Sequence, residues 1–278
     1  MEVYKHFASL PDMIDWLDAT PSVSEYNQSR KLRENDWGGT ETWEEAQRLV
    51  REGWPEGRAA LAKAITSLPP ITQARGRLAA LGFDVAGAYP IVPMAVAGEP
   101  ACMVTVGEQE RATRPYVRFH LSCSASGGID ASVIQARGAA ILAWVDALED
   151  AGARCEIMLH FKAVGGSHAC GFTCMLKKAD EPLDIDRMAY ALVNPAMLRR
   201  HAFAFLERTH ATITTALGGG YGTPASMPPE GDNVVCFDHA MFGDAEWSHP
   251  AKASAHVKQA ILKACGNLNG MLDTDQAA

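Results

Sequence analysis

One stretch restricts the possible folds more than any other. Residues 116–121, YVRFHL, have the β-branched and aromatic content of a strand, and 154–161, RCEIMLHF, repeat it. Between them, DASVIQARGAAILAWVDALEDAG (130–152) places Val133, Ile134, Ala140, Ile141, Trp144, Val145 and Leu148 at helical spacing and closes on Gly152. Strand, long helix, strand is a βαβ unit, which predicts an α/β fold with a central, mostly parallel sheet flanked by helices. After the turn at Gly165-Gly166, CGFTCMLKKA (170–179) can return as an antiparallel neighbour. NVVCFD (233–238) is a further buried strand, and HPAKASAHVKQAILKACG (249–266) is a closing helix with Pro250 near its first turn.

The remaining segments are read from their local signals. Residues 1–70 are predicted as a separate helical segment. Ser9 can cap a helix through Leu10, Met13, Ile14 and Leu17, and Thr40 or Thr42 can cap another that stops at Gly53. The polar run between them, around 20–36, reads as a loop or arm, and Pro69-Pro70 as a boundary to an α/β domain spanning 71–278. Prolines and glycines interrupt short β-like runs in 71–115, which suggests a hairpin. Helices at 184–209 break at Pro195, 216–232 reads as a flexible glycine-rich loop, and the chain end as a frayed tail.

Composition excludes some function classes. The chain has 278 residues and a net charge of −8, which opposes broad nucleic-acid binding through phosphate neutralisation. Arg199 and Arg200, next to His201, form the one basic run, expected as a solvated helix face, with contact to phosphate or an acidic partner as the other reading. Seven cysteines without a Cys-x-x-Cys pair suit a reducing cytoplasm, and the sequence shows neither a signal peptide nor a membrane span.

Candidate chemistry gathers after the first strand. SCSAS supplies Ser122, Ser124 and Ser126, followed by Gly127-Gly128 and Asp130; Asp238 and His239 follow the later strand. From about 115 to 265 this arrangement resembles a von Willebrand factor A-like, Rossmannoid domain. In that family an Asp-x-Ser-x-Ser motif ends the first strand and an aspartate follows a later central strand. Together with a threonine, these groups hold a divalent ion. The resemblance implies Ser124, Ser126 and Asp238 as ligands of Mg²⁺, with the threonine drawn from Thr209, Thr212, Thr214 or Thr215. Ser122 stands where the motif's first aspartate belongs, so a main source of cation attraction is missing and the adhesion-type loop is degenerate. The alternative is that the serines cap the following helix and no cofactor is bound. WGGTETWEEAQRLVREGWPEG (37–57) followed by RGAAILAWVDALEDAG (137–152) is also similar to uncharacterised proteins of tailed phages and prophages, which implies a host-cytoplasmic or virion location.

Function is expected at the strand ends, in loops 122–130, 163–170 and 238–247. The leading expectation is a non-enzymatic module that binds a protein partner. The alternatives are a serine or metal-dependent hydrolase built on Ser124, Asp238 and a histidine such as His239, or a virion or assembly component. A zinc set of His160, His168, Cys170 and Cys174 lacks close ligand pairs. Trp37, Trp43 and Trp54 are expected as a small helical core, with an exposed binding surface as the other reading.

Overall fold

The structure is a computed structural model that describes residues 1–32, 35–69, 71, 81–106, 114–231, 233–268 and 272. Pro70, parts of the 71–115 and 216–232 regions, and the expected tail beyond 272 lie outside the described residues. The strands are β1 (Glu2–Phe7), β2 (Leu81–Asp84), β3 (Tyr89–Pro90), β4 (Met103–Val106), β5 (Tyr116–Ser122), β6 (Arg154–Gly165), β7 (His168–Lys177), β8 (Thr223–Pro224) and β9 (Val234–Phe237). The helices are α1 (Leu10–Ala19), α2 (Gln28–Lys31), α3 (Asn35–Gly38), α4 (Trp43–Glu52), α5 (Arg58–Ile65), α6 (Val92–Val96), α7 (Ala131–Asp150), α8 (Ile185–Val193), α9 (Phe203–Thr209), α10 (Ala211–Leu217) and α11 (Pro250–Ala264).

The central sheet has the order β1-β7-β6-β5-β9, with β8 also paired to β6. β5 runs parallel to both β6 and β9, β1 runs parallel to β7, and the β6–β7 pair is antiparallel. This is a mixed α/β fold with a mostly parallel sheet flanked by helices, and the predicted β5–α7–β6 unit forms its centre. β9 lies at the end of the strand path, so the aspartate expected after a central strand follows an edge strand instead.

Alternation of side chains divides the sheet's two faces. Phe161 and Phe172 share one face, where Phe205 of α9 packs edge-on against Phe7 and Phe172. α7 lies on the same side, burying Ile141, Leu142, Trp144 and Val145. α7 has the length and hydropathy of a membrane-crossing helix, but its apolar residues are consumed by this core. Trp144 Nε1 ties it to α11 by donating to the Ser254 carbonyl at 3.0 Å. α7 also meets α8 so closely that a Cβ on Gly138 would lie 1.9 Å from the Leu192 carbonyl oxygen. Gly138→Ala must push two helix backbones apart, so it is expected to lower the unfolding free energy by about 1–3 kcal/mol, read from urea midpoints.

The first seventy residues are not a separate helical unit. β1 adds an edge strand to the sheet, and Phe7, Leu10, Leu17, Trp43 and Leu49 belong to the same core as the sheet. Alternating EVYKHF is a short β signal that finds its pair only in β7, more than 160 residues away in sequence. The expected polar arm is also held in place. Glu207 accepts from Ser29 N (2.9 Å), Ser29 Oγ (2.5 Å) and Tyr221 Oη (2.5 Å). Arg200 donates to Thr40 Oγ1 and to the carbonyls of Ser29, Leu32 and Thr40. Arg199, Arg200 and His201 are therefore buried, not a solvated face; they lie in a π-helical turn, Met197–Ala202, that follows Pro195.

The described part of the 71–115 region is a small antiparallel sheet, β2-β4-β3. The glycine-rich 216–232 segment, expected as a flexible loop, holds β8 against β6 and stacks Tyr221 on Phe203 with centroids 4.3 Å apart.

Candidate functional site

The chain leaves β5 toward β6 and β7 on one side and returns to β9 on the other. The carboxyl ends of β5, β6 and β9 therefore surround a topological switch point, the usual place for ligands in such sheets. The predicted serine loop and Asp238 both arrive there, but Ser122, Ser124 and Asp238 already have partners within the fold. Ser124 N donates to Ser122 Oγ at 3.2 Å. The Ser124 hydroxyl donates to the Lys162 carbonyl at 3.1 Å and accepts from the Lys162 N–H at 2.8 Å. These bonds prolong the β5–β6 pairing beyond the last strand residue. Asp130 occupies the N-cap of α7 without a side-chain cap bond, so the serines do not cap that helix. They finish a strand instead. Ser126 is exposed on the loop.

Asp238 caps the short 3-10 helix at 239–243. Its Oδ1 accepts from the His239 N–H at 2.6 Å and lies 3.2 Å from His239 Nδ1. Burial opposes its ionisation, but hydrogen bonds from Ser226 and His239 outweigh this and hold the carboxyl below its usual value. His160 Nε2 lies 3.8 Å away, beyond hydrogen-bond distance. His160 and His120 stack with centroids 4.2 Å apart. Burial lowers His120 to about 4, and burial together with His120 lowers His160 to about 3, so both rings are neutral near pH 7.

This geometry does not make a serine hydrolase centre. Ser124 faces the Lys162 backbone. His239 Nδ1 is shared between Asp238 and Ser226 Oγ at 3.5 Å, whereas a triad needs its acid and nucleophile on opposite ring nitrogens. Nor does the donor set fit Mg²⁺. One carboxylate, already accepting from His239, a Ser124 hydroxyl with both bonds made and the exposed neutral hydroxyl of Ser126 give little anionic attraction to a hard cation. The zinc set is divided between the faces: Cys170 and Cys174 register with Ala163 and Leu159 on the helix-covered side, and His160 with Thr173 on the other. Among the described residues, a different trio brings its ligand atoms within 4.8 Å of one another: Asp244, Glu246 and His256.

What the strand ends do build is a cavity of about 440 Å³. Its walls include the 125–127 loop after β5, Phe161 of β6, Trp37 of α3, Arg199 of the π-helical turn, Phe203 of α9 and Tyr221 of the glycine-rich segment. Arg199 lies over the Trp37 ring at 4.1 Å. Trp43 is in the core beside His201, so the three tryptophans do not share one role. A second cavity, between α1, α4, α8 and the carboxyl end of β7, contains no aromatic side chain. The strand-end site was partly legible: Ser126 and Gly127 belong to a predicted loop, and Gly218-Gly219-Gly220 to the segment read as a flexible loop. Nothing local indicated that Arg199 and Phe203 would join them, because the same run fits an ordinary helix.

No curated protein and no solved structure matches the sequence. One family model spans both the first seventy residues and the α/β unit, in keeping with their common core. The chain belongs to the family described as Domain of unknown function (DUF7192), whose model matches residues 1–266.

Proposed function

We propose that the protein is a binding module of von Willebrand factor A-like type, whose strand-end cavity receives an aromatic or apolar side chain of a partner protein. The observation that carries this reading is the cavity. It has room for one large side chain, and Trp37, Phe161, Phe203 and Tyr221 offer flat apolar walls of the kind that anchor partner residues. The von Willebrand factor A-like element rests on β5 lying between β6 and β9, which puts the serine loop and Asp238 at adjoining strand ends. Mg²⁺ has no part in this reading, since Ser124 serves the strand end, Asp238 serves the 239–243 turn, and the remaining implied ligand, Ser126, is an exposed neutral hydroxyl.

The test is peptide selection on the full chain from a random library, followed by affinity measurement on the wild type and on Gly127→Trp. A Cβ added to Gly127 meets nothing within 4 Å, so the variant folds while its indole obstructs the cavity mouth. Selected peptides are expected to bind the variant about tenfold more weakly or worse, a loss of ~1.4 kcal/mol. Equal affinity for both proteins, or no selected binder, would sink the proposal.

A further inference from the structure

Arg199 is the unusual group in the cavity wall. The residue is 1% exposed. Nη1 donates to the Trp37 carbonyl and Nη2 to the Ile129 carbonyl, while Nε has no hydrogen-bond partner among the described residues. No described carboxylate lies within ion-pair distance of it. Its neighbour in the same helical run, Arg208, has Glu207 at 3.6 Å. A buried cation without a counter-ion is unfavourable unless something else supplies the negative charge. Burial accordingly lowers Arg199 to about 10, with Asp130 opposing the shift.

Arg137 provides the internal comparison. It too is buried, donates to two carbonyls (Ser122 and Phe237) and leaves Nε without a partner. The free space beside Arg137 is only about 20 Å³, and the Phe242 ring lies 4.1 Å from the guanidinium carbon. Carbonyl-capped arginine can therefore be purely structural where the surroundings are closed. Arg199 has the same capping and opens on about 440 Å³ lined by aromatic rings.

We propose that the strand-end cavity recognises an aromatic residue at the carboxyl terminus of a partner protein, its ring held among Trp37, Phe203 and Tyr221 and its terminal carboxylate completing the charge of Arg199. The inference rests on the binding reading above and names the chemistry of its occupant. A chain end suits a buried cation better than an internal acidic residue. It brings ring and carboxylate in on one residue and needs no room for onward chain. Charge-assisted hydrogen bonds to guanidinium are also stronger and more directional than those among neutral groups.

The test compares three probes by isothermal titration against the full-length protein: a six-residue peptide ending in phenylalanine with a free carboxylate, the same peptide amidated, and N-acetylphenylalanine. The free-acid peptide is expected to bind about tenfold or more tightly than the amide. That preference should shrink with added salt and disappear in Arg199→Met, with Arg199→Lys retaining part of it. Equal binding of acid and amide would overturn the carboxylate inference while leaving the cavity as a binding site. Binding of neither peptide would overturn the binding reading as well. N-acetylphenylalanine binding as tightly as the peptide would replace the chain end with a small aryl acid. The wild-type comparison decides the matter even if the Arg199 variants fail to fold.

Discussion

Replacing Glu207 with alanine is expected to lower the unfolding free energy by about 3–5 kcal/mol, the usual loss when one partner is removed from a buried charged network. Glu207 is fully buried and accepts from the Ser29 N–H, the Ser29 hydroxyl and the Tyr221 phenol, with Arg208 beside it. Alanine would leave those three donors without an acceptor and Arg208 without its carboxylate. Because Ser29 belongs to α2 and Tyr221 to the cavity wall, the loss is also local. Limited proteolysis should cut the 20–40 segment faster in the variant than in the wild type. Glu207→Gln keeps the shape and an acceptor oxygen, so its loss should be smaller. A denaturation midpoint for Glu207→Ala within error of the wild type would show that the Glu207 network adds nothing to the hold that Arg200 and the apolar core have on the first forty residues.

Acidification should destabilise the protein well above the range where carboxylates titrate. His120 is lowered to about 4, and His160 and His201 to about 3, by burial in each case. Their folded pKa values lie below the unfolded value of about 6.5, so between those limits the unfolded chain binds more protons. Stability is therefore complete above about pH 6.5, falls as the pH drops below it, and stops falling on this account only below the folded pKa values. At pH 5 each such histidine contributes a loss of up to ~2 kcal/mol, from about 1.36 kcal/mol per pH unit. Urea unfolding at pH 7.5, 6, 5 and 4 measures the slope. Nitrogens of His120 and His160 lack partners, and the two rings are stacked. The double variant His120→Phe, His160→Phe should thus flatten much of the curve without a large loss at pH 7.5. A wild-type profile flat from pH 7 to 5 would mean that the rings are protonated in the folded state, and that Asp238 pairs with them.

Much of the fold was legible because its signals are local. Ser9 and Thr42 do cap their helices, with Asp12 N donating to Ser9 Oγ at 3.2 Å and Glu45 N to Thr42 Oγ1 at 3.0 Å. Gly53, at φ 95°, ends α4 in a conformation that favours glycine. The antiparallel return of 170–177 and the strand at 234–237 also match their patterns, though the pairing of the latter with β5 was not written in its residues. The serine loop does follow β5, but Ser124 bonds to the Lys162 backbone instead of capping α7. A serine that caps a helix and one that extends a strand pairing are the same residue type after the same strand. Only the Lys162 backbone opposite Ser124 distinguishes them.

The sequence by itself determined the β5–α7–β6 centre, the helix ends and the switch-point loops, since periodicity and capping act within a few residues of one another. Tertiary structure decided the rest. β1 became a sheet edge because β7 offered it a partner, Arg199, Arg200 and His201 became interior groups, and Trp37 was carried across to Arg199 to form the cavity wall. Whether a charged side chain is solvated or buried depends on acceptors supplied from anywhere in the chain. Here the Thr40 and Ser29 groups that hold Arg200 and Glu207 stand 160 and 178 residues away in sequence, outside any local pattern.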